Sequence, residues 1–309
     1  MVSHYNDWSF SLLGDYSKLG KIINGSAKGG KSITENVILK SFKEDIKMIN
    51  SLDCFICVAR HTMNVYAKYG NIRAKETAII HNAIEDTYIT LSKDEKLQLR
   101  KKYLIEDSVK IILFAGRLDD VKGLRYIIQA FKNVLTTHPN TRLFIAGDGD
   151  FNQWMKESAD CWSKIIFTGR LEKKQLFEFY SIADMGVVCS LHEEFGLVAI
   201  EMMMHELAII VTQTGGLDEI IENGISGLKV PVITKEEKRQ VDVNNLSDKM
   251  MLLLDNSAMS KELGKNGRKR FLDKFELSVF KEKKGMAGQA RHDTGSYSAF
   301  FFCFPINFV

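Results

Sequence analysis

Long apolar stretches are missing from this chain of 309 residues. The longest runs reach about ten residues, whereas a membrane-spanning helix needs roughly 20. A leader segment is not expected either, because Ser3-His4-Tyr5-Asn6-Asp7 is polar where an apolar targeting stretch would stand. The five cysteines are odd in number and widely scattered. That argues against a disulfide framework and fits a reducing, cytoplasmic setting. Formal net charge is only +3, too small and too dispersed for a nucleic-acid footprint. It is compatible with a basic anion pocket, or with weak attraction of the chain to the inner face of an anionic membrane.

Familiar phosphate and metal signatures are also lacking. No GxxxxGK[ST] loop occurs. Gly147-Asp148-Gly149 follows an apolar run, but Asn152 stands where a dinucleotide fingerprint needs its third glycine. No acidic residue closes a strand about twenty residues further on, as that fingerprint requires. Cys54 and Cys57 form a CxxC within Asp53-Cys54-Phe55-Ile56-Cys57-Val58-Ala59, which reads as a buried strand. Residues i and i+3 of a strand face opposite ways, so the two thiols are read as core rather than as a metal pair. His192 and His205 have no partners at ligand spacing, and no metal is expected.

What the chain does have is 45% hydrophobic residues over 309 positions. That predicts two domains, since one core seldom grows past about 250–300 residues. From Val109 onward, strands alternate with helices. Strands are predicted at Lys110–Ala115, Leu143–Ala146, Lys164–Thr168, Gly186–Cys189 and Ala208–Thr212, with a short sixth at Gly227–Pro231. Leu124, Ile127, Ile128, Phe131, Val134 and Leu135 form a helical stripe after the first strand. Helices are also predicted at 245–255 and 258–275. Near-continuous apolar strands with helical crossovers predict an α/β fold with a doubly wound parallel sheet covered on both faces.

Before that, helices are predicted at Glu35–Ile49 and His61–Tyr69, with strands at Cys54–Ala59 and Thr77–Ile80. These are too few to close a second sheet of similar size. The expected organisation is a partial N-terminal α/β domain and hinge at 1–106, a complete domain at 107–277, and an irregular tail at 278–309. The tail is phenylalanine-rich and without helical period, which suits a foreign or frameshifted end.

The chemistry concentrates at strand ends. In Glu193-Glu194-Phe195-Gly196-Leu197-Val198-Ala199-Ile200-Glu201 two carboxylates with seven residues between them straddle a strand-to-helix turn. Open α/β sheets bind ligands at such carboxyl ends, and a helix N-terminus there offers free N–H groups to an anion. Glu201 should lie roughly 7 Å further along the helix than Gly196. That separation suits a ligand with an anionic centre and hydroxyls on either side. Gly116-Arg117-Leu118-Asp119-Asp120-Val121-Lys122-Gly123 puts two cations in another strand-end loop, and Arg and Lys together suit a diphosphate. Phe167-Thr168-Gly169-Arg170-Leu171 and Thr214-Gly215-Gly216 complete the set. Each loop alone could be an ordinary solvated surface, and the glutamates ordinary helix-start acids; the companion loops weigh against that.

Gly116-Arg117-Leu118 with Lys122-Gly123, Ala146-Gly147-Asp148-Gly149, Phe167-Thr168-Gly169, Glu193-x7-Glu201 and Gly215-Gly216 with Glu219 fall in one order. That order and spacing resemble the donor-binding domain of family 4 retaining glycosyltransferases of the GT-B fold, over roughly residues 50–277. The resemblance implies a UDP-, GDP- or ADP-sugar as donor, a glycan or lipid-linked acceptor, no metal cofactor and a role such as polysaccharide biosynthesis. It implies that Arg117 and Lys122 hold the donor diphosphate, that Gly116 and Gly147 are also donor-binding, and that Glu193 contacts the transferred sugar. Glu201 would hydrogen-bond the ribose. Backbone at Gly169, Arg170 and Leu171 would lie near the base, and Phe195, Gly196 and Leu197 would bring amides to phosphate and sugar. His4 resembles the acceptor-side histidine of the family. The Asn82–Ile84 segment resembles its hinge, with Ala83 at the glycine position. The family's longer acceptor domain makes the chain read as N-terminally truncated. Two expectations therefore stand: a transferase, or a fragment that binds the donor without turning it over.

Overall fold

The computed structural model describes residues 16–24, 32–52, 54–73, 76–235, 238–281 and 299–300. His4 and the glycine-rich stretch at 25–30 lie outside the described residues. Along the chain, helices α1 (Tyr16–Ile23) and α2 (Ile33–Ile49) lead into strand β1 (Cys54–Cys57), α3 (Arg60–Gly70) and β2 (Glu76–Ile79). Helix α4 (Lys93–Lys102) precedes β3 (Lys110–Ala115), α5 (Leu124–Thr137), β4 (Thr141–Ala146), α6 (Phe151–Glu157), β5 (Ile165–Gly169) and α7 (Lys173–Ile182). Then come β6 (Met185–Val188), α8 (Leu197–Met204), β7 (Ile209–Thr212), α9 (Gly215–Ile220) and β8 (Leu228–Val230). A hairpin of β9 (Val232–Lys235) and β10 (Lys238–Val241) is followed by α10 (Val243–Asp255), α11 (Ser257–Lys274) and the short β11 (Ala299–Phe300).

The larger sheet has six strands in the order β5-β4-β3-β6-β7-β8, all paired in parallel. Each predicted strand of this half is present. The alternation along β3 shows why both faces need cover. Ile111, Leu113 and Ala115 enter one hydrophobic cluster, while Ile112 and Phe114 enter the other. The apolar stripe of α5 (Leu124, Ile127, Ile128, Phe131, Val134) fills the second cluster, and the methionines of α8 fill the first. This is the expected doubly wound α/β architecture.

The smaller sheet pairs β11, β1 and β2 in parallel. Phe55 and Cys57 pack into one cluster, and Cys54 and Ile56 into another, so the two thiols of the CxxC do face opposite ways. Ala299 and Phe300 run beside Cys54 and Phe55, a strand within the stretch read from sequence as irregular. The open edge of β1 accepts an extended chain there.

Two elements escape the hydrophobic pattern. Helix α4, with the sequence KDEKLQLRKK, shows no apolar stripe. Its signal is the capping box, in which Ser92 Oγ accepts from the Glu95 amide and Glu95 accepts from Ser92. The β9–β10 hairpin is short and largely polar, and so carries no strand alternation.

The connection between the sheets is anchored at its start. Ile84 donates its N–H to the Phe275 carbonyl at 3.0 Å and accepts from Leu277 at 3.1 Å. Asp86 receives both guanidinium nitrogens of Arg268, at 2.8 and 2.6 Å. This is a bidentate, charge-assisted pair, and the Arg268 hydrogen bond holds the Asp86 carboxyl below its ordinary range. Next to it, His205 lies among the rings of Tyr88, Phe177 and Tyr180 at 5.3, 4.5 and 5.4 Å. Among the described residues neither of its ring nitrogens has a hydrogen-bond partner. Burial, reinforced by the Arg268 charge, pushes its imidazole down to about 4.

The folded state therefore keeps His205 neutral where an unfolded histidine takes up a proton, at about pH 6.5. Its contribution to stability is full above that pH and is lost as pH falls toward the folded value of about 4, at up to about 1.4 kcal/mol per pH unit. His205→Leu should accordingly lose less thermal stability than the parent between pH 7 and pH 5. Parallel melting-temperature declines for the two proteins would contradict this assignment.

Candidate functional site

The strand order reverses between β3 and β6, adjacent in the sheet although α5, β4, β5 and α7 intervene in sequence. Their connections leave in opposite directions, and a crevice opens between the two strand ends. The loop after β3 carries Gly116, Arg117 and Lys122, and the loop after β6 carries Ser190 to Gly196. Between them lies a cavity of about 470 Å³, within the range of small-molecule sites. Gly116, Arg117, Lys122, Arg170, Glu193, Phe195, Gly196 and Leu197 all line it. A larger cavity of about 880 Å³ between α4 and α7 contains none of the motif residues. We assign the site to the smaller one, where cations, carboxylates and a helix start converge.

At its centre, Lys122 Nζ lies 2.6 Å from Glu193 Oε2, which also accepts from Ser190 Oγ at 3.0 Å. Both partners are mostly buried, with side chains 23% and 17% exposed, so removing either would leave a charge stranded in a poorly solvated place. Lys122 is delivered by a single 3-10 turn, Asp120–Lys122, capped by the Asp119 carboxylate on the Lys122 amide at 2.9 Å. Arg117 is far more open, its side chain 72% exposed and paired with Asp119 at 3.2 Å.

The Glu193 loop is braced from behind. Gly216 donates its N–H to the Glu193 carbonyl at 2.8 Å. A Cβ on Gly216 would come within 2.4 Å of Phe195 Cα and 2.6 Å of the Glu194 carbonyl oxygen. The Phe195 ring packs against those of His81 and Phe275, at 5.8 and 6.0 Å. Gly196 follows at φ +107°, in the left-handed region, and starts α8. The first helical hydrogen bonds come from Ala199 and Ile200 to the Gly196 carbonyl. The amides of Leu197 and Val198, both residues of the lining, precede them, as an anion site at a helix start requires.

Gly147, Gly169, Leu171 and Glu201 are not part of the cavity lining. Gly147 underlies it: its N–H bonds the Gly169 carbonyl at 2.9 Å, and a Cβ there would lie 1.8 Å from the Gly116 carbonyl oxygen. Glu201 accepts from the Tyr180 hydroxyl at 3.0 Å, and burial pushes its carboxyl up while that hydrogen bond opposes the shift. The structure adds Ser190, Asp148 and Asn82 to the wall. Asn82 belongs to the segment read as a hinge; Ser190 and Asp148 carried no separate signal beyond their places at strand ends. Among the described residues no group of three His, Cys, Asp or Glu side chains could hold a metal ion. None of the described helices is long and apolar enough to cross a membrane.

A parallel sheet with a glycine-bounded crevice at its switch point, lined by Arg117, Lys122 and Arg170 together with Asp148, Glu193 and Glu194, defines an α/β protein of the doubly wound class. The family model for glycosyl transferases group 1 matches residues 95–270, and the chain belongs to that family. It is 31% identical over 204 residues to an uncharacterized glycosyltransferase of Methanocaldococcus jannaschii, covering 61% of this chain and 52% of that protein. It is 29% identical over 199 residues to the lipopolysaccharide 1,2-N-acetylglucosaminetransferase of Salmonella typhimurium, covering 60% and 52%. The chain thus spans about half the length of these relatives. Among solved structures, Anabaena HepE in complex with UDP-glucose superposes with a TM-score of 0.70 at 16% identity, over 81% of this chain and 68% of that one. The fold is of the GT-B type.

Because the Gly216 contacts are to backbone, which cannot rotate away, Gly216→Ala should displace the Glu193–Phe195 segment and cost about 1–3 kcal/mol, the usual cost of overpacking. A melting temperature equal to the parent's would show that the brace is dispensable.

Proposed function

We propose that this chain is a retaining glycosyltransferase of family 4. It would take a sugar from a UDP-, GDP- or ADP-sugar to a glycan or lipid-linked acceptor, in a role such as polysaccharide biosynthesis. Residues 107–277 are the donor half in this reading and 1–106 belong to the acceptor side. The observation that carries it is the meeting of Arg117, Lys122, Glu193 and the Gly196 helix start around one cavity. Support comes from HepE, whose solved complex holds UDP-glucose, and from the Salmonella relative, named for N-acetylglucosamine transfer.

The chemistry follows from the charges. When the bond from the anomeric carbon to the donor diphosphate breaks, negative charge collects on the departing phosphate oxygen. Lys122 acts on it as a fixed point charge, Arg117 closes over it from the mouth, and the amides at the start of α8 add N–H donors. That oxygen, on the same face of the sugar, takes the proton of the attacking acceptor hydroxyl as the new bond forms, so configuration is retained. Glu193, aimed by Lys122 and Ser190, accepts from sugar hydroxyls; it orients the sugar and stabilises positive charge near the anomeric carbon. Glu201 exchanges its Tyr180 hydrogen bond, in whole or part, for one from the ribose.

The alternative reading is a chain that binds the donor without turnover. Donor hydrolysis or transfer by the 309-residue chain decides between the two. Titration with pyrophosphate and with nucleoside diphosphates tests the site itself. Lys122→Ala should weaken both ligands about tenfold or more, the scale of a lost charge-assisted contact. Glu201→Gln should weaken nucleoside diphosphates only. Unchanged diphosphate affinity in Lys122→Ala would remove the site assignment.

A further inference from the structure

Glu193 and its neighbour Glu194 send their carboxylates in different directions. Glu193 meets Lys122 and Ser190 inside the cavity. Glu194 Oε2 accepts from the Thr62 hydroxyl of α3, and its Oε1 pairs with His192 Nε2 at 3.0 Å. The Glu194 side chain is 11% exposed and that of His192 is 0% exposed, so this link is shielded from water. Thr62 belongs to the first turn of α3, a helix whose N-cap residue is Ala59 and which has no side-chain cap of its own.

The missing cap comes from the larger sheet's side. Glu219, on α9, accepts the His61 amide at 2.9 Å and lies 3.3 Å from His81 Nε2. Burial raises the Glu219 carboxyl, but the His81 contact and backbone bonds from Arg60 and His61 outweigh it and leave it below its ordinary range. Two carboxylates thus sit on the N-terminal turn of α3, where the helix dipole favours negative charge. They come from the two segments that build the Glu193 loop: Glu194 is part of the loop, and Glu219 lies on α9, whose Gly216 amide holds the Glu193 carbonyl at 2.8 Å.

We propose that the first turn of α3, through Thr62, Glu194 and Glu219, is a clamp that fixes the Glu193 loop and so aims Glu193 at the donor sugar. Thr62, Glu194 and Glu219 are positioning residues in this proposal, which rests on the donor-site reading above. The N-terminal part of the chain then governs how well the site holds the sugar moiety without touching the diphosphate. Helix α3 also gains the cap its own sequence withholds, so the joint and the site loop stabilise each other.

The test uses the 309-residue chain and two readouts. The first is hydrogen exchange of the amides at 191–196 without ligand. The second is the ratio of affinities for UDP-glucose and UDP, repeated with the GDP and ADP pairs. Thr62→Val and Glu194→Ala should raise exchange at 191–196 about tenfold and lower the sugar-nucleotide to diphosphate ratio several-fold, with diphosphate affinity kept. Thr62→Ser, which retains the hydroxyl, should match the parent in both, and it guards against a misfolded Val variant. Unchanged exchange overturns the clamp. Faster exchange with an unchanged ratio overturns its role in aiming Glu193. A parent chain that binds no nucleotide would end the donor-site reading and the aiming role with it, while exchange would still decide whether α3 holds the loop.

Discussion

The adjacency of β3 and β6 is the constraint on which the site depends. Two parallel strands cannot be joined by a tight turn, so each needs a crossover. Here the crossovers run to opposite sides from neighbouring strands, and their first loops part to leave a crevice. Arg117, Lys122, Glu193 and the amides at the start of α8 all stand on those two loops or on the helix that follows. If β6 lay elsewhere in the order, Lys122 and Glu193 would not meet at 2.6 Å, whatever the loops contained.

Within that crevice the electrostatics are arranged before any ligand arrives. Lys122 and Glu193 neutralise each other in a setting where neither would be cheap to leave alone. In the proposed donor reading, a diphosphate beside Lys122 would share its charge and free Glu193 for hydroxyl donors. Arg117 behaves differently: its exposed side chain has room to move, so it can follow the anion. In the proposed reading, the more buried cation would hold the leaving group and the exposed one would meet the incoming donor.

Support for the site comes from outside it. Glycines at 147 and 216 let backbone segments approach where a Cβ would collide. Carboxylates at 194 and 219 reach across to cap α3, and the Asp86–Arg268 pair holds the connecting segment to α11. The Glu194 and Glu219 contacts join the larger sheet's side to α3 through buried or partly buried polar groups. The cost of burying such groups unpaired makes the joint specific.

The alternation of β3 and the stripe of α5 were legible because burial on two faces leaves a pattern that survives in the sequence. The placing of Arg117, Lys122 and Glu193 on strand-end loops was legible too, since such loops and a helix start are local features. Helix α4 and the β9–β10 hairpin were not, because their stability comes from a cap and from pairing rather than from apolar periodicity. By itself the sequence determined the strands and main helices of the larger sheet, the sheet class and which loops bear charge, all of which follow from short-range periodicity and turn chemistry. Only the tertiary structure decided that Glu193 pairs with Lys122 while Glu194 turns to Thr62, that Glu201 stands behind the cavity wall on Tyr180, and that Ala59 leaves a helix for Glu219 to cap. Those outcomes depend on which strand ends become neighbours in space, and no spacing along the chain encodes that distance.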